Sequence, residues 1–575
     1  MTTETADKLS RNEFIKEASR FLRGTLAEGL LNEVSGDIAE DDHQLVKFHG
    51  MYVQDDRDLR PERTKKKLEK AFSFMIRLRI VGGVVTPDQW LKLDRIATTY
   101  ANGTLRATTR QTFQYHGVIK HNLKRVMKEI DGALLDTIAA CGDVNRNVLA
   151  GTNPHQSGAH AAAYELAREI SAHLLPRTNA WREIWLDEKK VVGGEVEEEP
   201  ILGKTYLPRK FKTVVAVPPS NEVDIFAHDL GFIAILDEAG KLKGWNVTVG
   251  GGMGMTHGET ETYPRTADVM FFCEPEWAVR VSEAVVTVQR DWGNRSNRKL
   301  ARLKYTIDRH GLAAFRAEVE KRLGRAFEDP RPFAFEDNGD RYGWTTGENG
   351  RHHLTLFIEN GRVADRPGGP QLLTGLREIA KVHDGEFRLT ANQNVIVANV
   401  SDEKRAAIEA LVAAYELDGH ASVLRRNAMA CVALPTCALA LAESERYLPS
   451  LVTLLDERLA AHGLSEEPIT IRMTGCPNGC ARPYLAEIGL VGKGPGRYNL
   501  YLGAAHDGSR LSKLYLDNAE EAAIVAALDP VFAAYAGDRR DGEHFGDFVI
   551  RAGFVAETRQ GLDFHDRTGA LKVAA

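Results

Sequence analysis

The sequence predicts a mixed α+β fold of three domains built on an internal pseudo-two-fold repeat. Three observations predict it. A strand–helix–strand unit occurs twice, and its second strand region carries Arg-x-Thr-x-x-Gln in both copies: Arg106, Thr108, Gln111 and Arg388, Thr390, Gln393. Strand and helix signals alternate through the segment between the copies, as in layered folds. A chain of 575 residues is too long for one hydrophobic core and suits about three or four domains.

Residues 1–71 are rich in charge and poor in apolar periodicity, and the basic run around Lys65-Lys66-Lys67 closes them. They read as an N-terminal arm that packs on the body or on a partner. The first half-repeat, 72–140, opens on a strand at 74–80 that Gly82-Gly83 breaks. Thr86 then caps a helix with Pro87 at its first position, and Trp90, Leu91, Leu93, Ile96 and Ala97 form its apolar face. Asn102-Gly103 turns the chain into a strand-like stretch at 105–116. The second half-repeat, 342–415, runs the same way: a strand at 353–358, a break at Gly361, a helix at 372–382 and a strand at 387–397. The two halves are expected to form one pseudo-symmetric domain.

Between them, 141–341 reads as an inserted domain. It has a helix at 161–175, a charged loop at 193–199, a buried strand at the apolar end of 207–217, and a strand at 247–249 entering Gly250-Gly251-Gly252. The last domain, 416–575, has a long helical pattern at 438–462 broken only by Pro449. A tight loop at 476–480, a strand at 487–492 and a short strand at 548–550 complete it.

Net charge is −6, so a basic site must be local, and nothing global points to nucleic acid or an anionic membrane. No apolar leader segment is visible, and no apolar run approaches the ~20 residues of a membrane span. Six cysteines without an export signal argue for a reducing cytoplasm, where clustered thiols belong to metal centres rather than disulfides.

Four of those cysteines fall in two pairs, Cys431-x5-Cys437 and Cys476-x3-Cys480. A four-thiolate set fills one iron–sulfur cubane. Zinc favours tighter knuckles and often recruits histidine, and neither pair contains one. Unrelated buried cysteines are the third reading. Cations are scattered over the chain: Arg77, Arg106, Arg110, Arg146, Lys210, Lys212 and the run 295–304. Arginine forks bind oxyanions bidentately, while lysine supplies a point charge and a proton. Arg77 and Lys210 stand out because they interrupt apolar strand sequence. The glycine runs are not G-x-G-x-x-G motifs opening a helix, so no dinucleotide site is expected. There is no Walker loop and no Ser/His/Asp signature.

These motifs together resemble the siroheme–[4Fe–4S] family of sulfite and nitrite reductases, and most of all its assimilatory sulfite reductase hemoprotein (beta) subunits. The resemblance also rests on His49-Gly50-Met51-Tyr52, Arg110 to Gln114, Asn145-Arg146-Asn147-Val148, Leu207 to Lys212, Arg290 to Arg295 and Gly492 to Asn499. It implies the three-domain siroheme reductase fold and six-electron reduction of sulfite to sulfide in cysteine biosynthesis. It implies that Cys431, Cys437, Cys476 and Cys480 hold the cubane and that Cys480 also bridges to the siroheme. Arg77, Arg146, Lys210 and Lys212 match the family's substrate-binding cations. Arg106, Arg110, Gln114 and Asn478 match regions facing the siroheme, whose eight carboxylates give a reason for local positive charge. Ala150 stands where some relatives have cysteine, so a crosslink through a thiol there is not expected. Cys141 and Cys273 match no ligand position and read as structural.

No flavin or NADPH motif is present, so electrons must come from a partner. The resemblance implies an NADPH-dependent flavoprotein (alpha) subunit, with ferredoxin the alternative. Nitrite is the alternative substrate, although two lysines suit the bulkier sulfite dianion better. A zinc-stabilised binding protein is the reading from a different class, and colour separates it from a siroheme protein.

Overall fold

The computed structural model describes residues 8–177, 184–186, 189–192, 198–419, 421–559 and 561–566. The expected charged loop lies largely outside these residues.

The duplicated strand–helix–strand units build two five-stranded sheets that exchange strands. In the first, Met51–Asp55, Phe72–Arg77, Phe113–Val118 and Leu105–Ala107 pair in that order, and Arg362–Val363 of the second repeat adds the last strand. In the second, Gly343–Thr346, His352–Leu356, Val395–Val400 and Glu386–Leu389 are completed by Val84–Val85 of the first. Gly83 and Gly361 permit the exchange, because each turns at positive φ against the other half's backbone. A Cβ at Gly83 would lie 2.5 Å from the Leu389 carbonyl oxygen, and one at Gly361 would lie 2.3 Å from that of Ala107. Each repeat's second strand stretch is in fact a hairpin. Thr108 N bonds Thr112 O at 3.0 Å, and Thr390 N bonds Asn394 O at 2.9 Å. Gln111 and Gln393 sit left-handed in these two turns.

The helices Pro87–Tyr100 and Leu372–Val382 pack together over one core shared by both halves. Thr86 and Gln89 form the complete capping box that the sequence predicts. Trp90, fully buried, lies against Phe113 of its own half and Phe387 of the other.

A second duplication, not expected from the sequence, relates the inserted and C-terminal sheets. Thr213–Ala216 runs parallel to Leu230–Leu236, and Leu242–Val249 and Asp268–Cys273 follow antiparallel. Ile471–Thr474 runs parallel to Ile488–Gly494, and Arg497–Leu502 and Lys513–Ala519 follow antiparallel. The loops 217–224 and 475–482 are equal in length. Each ends in a left-handed residue, Asp224 or Arg482, before a single 3₁₀ turn. Gln111 Nε2 bonds the Ala150 carbonyl at 2.8 Å, and Gln393 Nε2 bonds that of Ala430 at 3.0 Å. In this correspondence Cys431, Cys476 and Cys480 fall opposite Gly151, Pro218 and Glu222, so only one copy carries the thiols.

The arm is more ordered than its composition suggests. Its helix Arg11–Ala18 docks on the inserted domain, and its strand Met51–Asp55 edges the first sheet. Two elements differ from expectation in the C-terminal domain. The long helix begins only at Leu448, with Pro449 in its first turn, because the preceding residues carry Cys437 and its loop. Residues 548–550 lie in the helix Phe545–Arg551, whose Phe545 and Phe548 pack on Tyr535.

Candidate active site

Two loops bring the four cysteines together. Cys431 leaves the strand Ala428–Ala430, Cys437 closes the loop that follows, and Cys476 and Cys480 lie in the loop after Ile471–Thr474. Cys431, Cys437 and Cys476 are wholly or partly buried, and Cys480 is exposed. Gly475 is required here by close approach: a Cβ would lie 2.5 Å from the Ala433 Cβ and 2.6 Å from the Ala442 oxygen. Its N–H donates to Cys431 Sγ at 3.4 Å. Arg57 of the arm clamps the outer loop, donating to the carbonyls of Ala440 at 2.7 Å and Cys437 at 3.4 Å. Burial and the neighbouring thiols push Cys431, Cys437 and Cys476 up, Cys476 to about 12. Four adjacent thiols suit a cationic cluster, which holds its ligands as thiolates.

Beside Cys480 lies a group of cations with too few anions. Arg77, on Phe72–Arg77, donates to Cys141 Sγ at 3.0 Å. The Gln114 amide, oriented to complement its neighbours, accepts from Arg77 Nε at 3.0 Å. Arg146 reaches the Gly142 carbonyl from NH2 at 3.0 Å. Burial opposes its charge, but Tyr52, Cys141 and Asp143 raise its pKa on balance. Lys210 and Lys212 are half-buried, and no side chain accepts from either ammonium among the described residues. Burial pushes Lys210 well below an ordinary lysine, and Arg209, Arg302 and Arg146 push it further, while Cys480 acts the other way. Lys212 is depressed by burial and then by Arg110, Arg302 and Lys210. Arg110 is buried, and its Nε and one terminal nitrogen have no hydrogen-bond partner. Unpaired donors on buried cations are the signature of a site built for anions.

The structure therefore brings together Arg77, Arg110, Arg146, Lys210, Lys212 and Cys480. Three other expected cofactor contacts are placed differently. Arg106 faces the cluster domain: its guanidinium bonds Glu445 at 2.8 Å and the Ala430 carbonyl at 2.9 Å, because it lies on the strand before the hairpin turn. Gln114 orients Arg77, and Asn478 Nδ2 points to Cys476 Sγ at 3.8 Å. The 295–304 run supports the pocket instead of lining it freely. Arg298 grips Asp143 and the Pro208 carbonyl, and Arg302 pairs with buried Asp229 at 2.9 Å. Lys304 donates to Gly252 O at 3.1 Å and Gly254 O at 2.7 Å, fixing the glycine loop behind Asn478. Sequence reasoning missed Arg209, Tyr52 and the contact of Cys141 with Arg77. Arg209 adjoins Lys210, and both Arg209 and Tyr52 lie in stretches that carry the resemblance, which was the signal available.

The donors present fit both groups that the resemblance implies. The four thiols and their neighbouring N–H groups suit a cubane, and the under-neutralised cations beside Cys480 suit a polycarboxylate macrocycle and an anionic substrate.

The chain is similar to known proteins over nearly its whole length. The family model for the nitrite/sulfite reductase ferredoxin-like half domain matches residues 66–133 and 346–415, the two strand-exchanged halves. That for the nitrite and sulphite reductase 4Fe-4S domain matches 166–327, the copy of the second duplication without the four thiols. The chain is 74% identical over 99% of its length to the sulfite reductase [NADPH] hemoprotein beta-component of Methylobacterium nodulans, covering 95% of that protein. It is 60% identical over 96% of its length to the protein of that name from Anoxybacillus flavithermus, covering 97% of it. The solved structure of Mycobacterium tuberculosis NirA superposes with a TM-score of 0.76 at 26% identity, covering 94% of this chain and 96% of that one. The chain belongs to the nitrite and sulphite reductase family.

Proposed function

We propose that the chain is the hemoprotein component of an assimilatory sulfite reductase, which reduces sulfite to sulfide by six electrons. The observation that carries this reading is the under-neutralised cation group adjoining Cys480. When bound, siroheme linked to a [4Fe–4S] cluster supplies the one-electron steps. Cys431, Cys437, Cys476 and Cys480 would hold the cluster, with Cys480 facing the siroheme. Arg110 would meet the macrocycle's carboxylates.

The chain's own residues do the rest. Arg77, Arg146, Lys210 and Lys212 neutralise the sulfite dianion, and their N–H groups polarise its S–O bonds. Sulfur passes from +4 to −2, and each oxygen leaves as water, so protons must reach the oxygens in turn. Lys210 Nζ and Lys212 Nζ are suited to pass them on, because burial and neighbouring cations make both ammoniums readier acids than free lysine. Cys141 and Gln114 hold Arg77, and the Gly142 carbonyl holds Arg146, so the donors are set before substrate arrives.

Electrons would come from an NADPH-dependent flavoprotein subunit in the cytoplasm, with ferredoxin the competing donor. Among the described residues, no helix is long and apolar enough to cross a membrane. The test is kcat/KM for sulfite and nitrite with reduced methyl viologen, followed by reconstitution with each protein donor. A preference for sulfite is expected, and a large preference for nitrite would overturn the reading.

A further inference from the structure

The arm buries an ion group that the chemistry above leaves unused. The helix Arg11–Ala18 carries Glu13, 3% exposed, and Lys16, 2% exposed. Lys16 Nζ donates to Glu13 Oε1 at 2.6 Å and to the Leu207 carbonyl at 3.0 Å. It also lies 3.6 Å from Asp143 Oδ2. Leu207 stands three residues before Lys210, and Asp143 three before Arg146. One ammonium from a distant part of the chain thus joins the two segments that carry three of the four substrate cations.

The surrounding bonds serve the same two segments. Arg298 holds Asp143 at 2.7 and 2.9 Å and the Pro208 carbonyl at 3.2 Å. Arg295 pairs with Glu13 at 2.5 Å and bonds the Tyr206 carbonyl at 2.7 Å. A buried charge is a poor source of stability, since desolvation offsets much of the attraction and an apolar side chain fills the same space. The two segments already pair through their backbones, Leu207 N to Asp143 O and Arg146 N to Phe211 O, each at 3.0 Å; what the ammonium adds, and an apolar chain cannot, is a polar tie between the Leu207 carbonyl and the Asp143 carboxylate. We infer that Lys16 is a positioning residue for anion reduction, reinforcing at the Leu207 carbonyl and the Asp143 carboxylate the backbone pairing that sets Arg146 beside Lys210 and Lys212. This rests on the sulfite reading.

The test uses holoenzyme carrying siroheme and cluster, driven by reduced methyl viologen. Lys16→Met is expected to raise the sulfite KM about tenfold, since a misplacement of about 1 Å can cost that much or more. The sulfite titration of the siroheme absorption should weaken in parallel, with cofactor content unchanged and kcat within about twofold. A sulfite KM within about twofold of wild type overturns the inference, whatever happens to the melting temperature. If Lys16→Met yields no holoenzyme, Lys16→Gln decides by the same thresholds, because its amide can still donate to a carbonyl but brings no charge to Asp143. A wild-type enzyme inert to sulfite overturns the functional reading and this inference with it. An active wild type with an unmoved variant overturns the inference alone.

Discussion

Replacing Glu445 by glutamine removes one carboxylate that serves two arginines. Glu445 accepts from Arg106 Nε at 2.8 Å and from Arg362 Nε at 2.6 Å and NH2 at 3.0 Å. Both arginines lie on the strands where the two half-repeats meet, and Glu445 N bonds the Cys431 carbonyl at 3.1 Å. Burial alone would raise this carboxyl, but Arg106 and Arg362 outweigh it and hold it at about 2, against an ordinary 4.5. That difference is worth about 3 kcal/mol at neutral pH. Independently, stranding a buried guanidinium such as Arg106, which is 2% exposed, costs about 3–5 kcal/mol. Glu445→Gln should therefore destabilise the protein by about 3–4 kcal/mol, read by denaturant unfolding near neutral pH. Because the folded carboxyl is depressed, its contribution is present above 4.5 and is lost as pH falls towards 2. The gap between wild type and variant should be constant from about pH 7 to about pH 5.5 and shrink below 4.5. A loss under about 1 kcal/mol, or one unchanged in acid, would refute the reasoning.

Three further outcomes are expected. Sulfite binding should be accompanied by proton uptake that grows as pH rises towards the ordinary lysine range, because the pocket depresses both lysines until an anion arrives. Calorimetry in buffers of different ionisation heat reads this, and Lys210→Met should take up fewer protons; zero uptake by wild type would contradict the assignment. Cys480→Ser should strip or uncouple the siroheme, and an unchanged siroheme spectrum with normal turnover would rule out the bridge. Gly251→Ala should lower stability by about 2–3 kcal/mol, because its Cβ would lie 2.3 Å from the Phe226 oxygen and 2.5 Å from that of His228. A melting temperature equal to wild type would show that the loop yields.

Local signals were legible wherever one physical cause dominated. Thr86-Pro87 and Gln89 start a helix whatever surrounds them, and the repeated Arg-x-Thr-x-x-Gln marks two turns of the same shape. The paired cysteines pointed to a cluster ahead of zinc or unrelated thiols, and the resemblance separated those readings. Less legible was which way a side chain faces. Arg106 and Arg110 are equivalent as cations, yet one precedes a hairpin turn and the other lies within it, so they point to different domains. The second duplication left almost no trace, because its shared features are backbone ones: a left-handed residue before a turn can be Asp224 or Arg482, and the two now bond each other. Phe548-Val549-Ile550 suits a strand by propensity, but packing against Tyr535 made it helical.

The exchange of Val84–Val85 and Arg362–Val363 between the two sheets has a consequence for biosynthesis. As the chain leaves the ribosome, the first sheet lacks its final strand until the second repeat has been made, long after the inserted domain. An open strand edge persists through that interval, and contacts so distant in sequence form slowly. Neither half can mature as an independent unit, so the nascent chain is most prone to misassociate before residue 363 emerges. Siroheme and cluster are then late arrivals, since Arg77 is made before that interval and Cys480 only after it has closed.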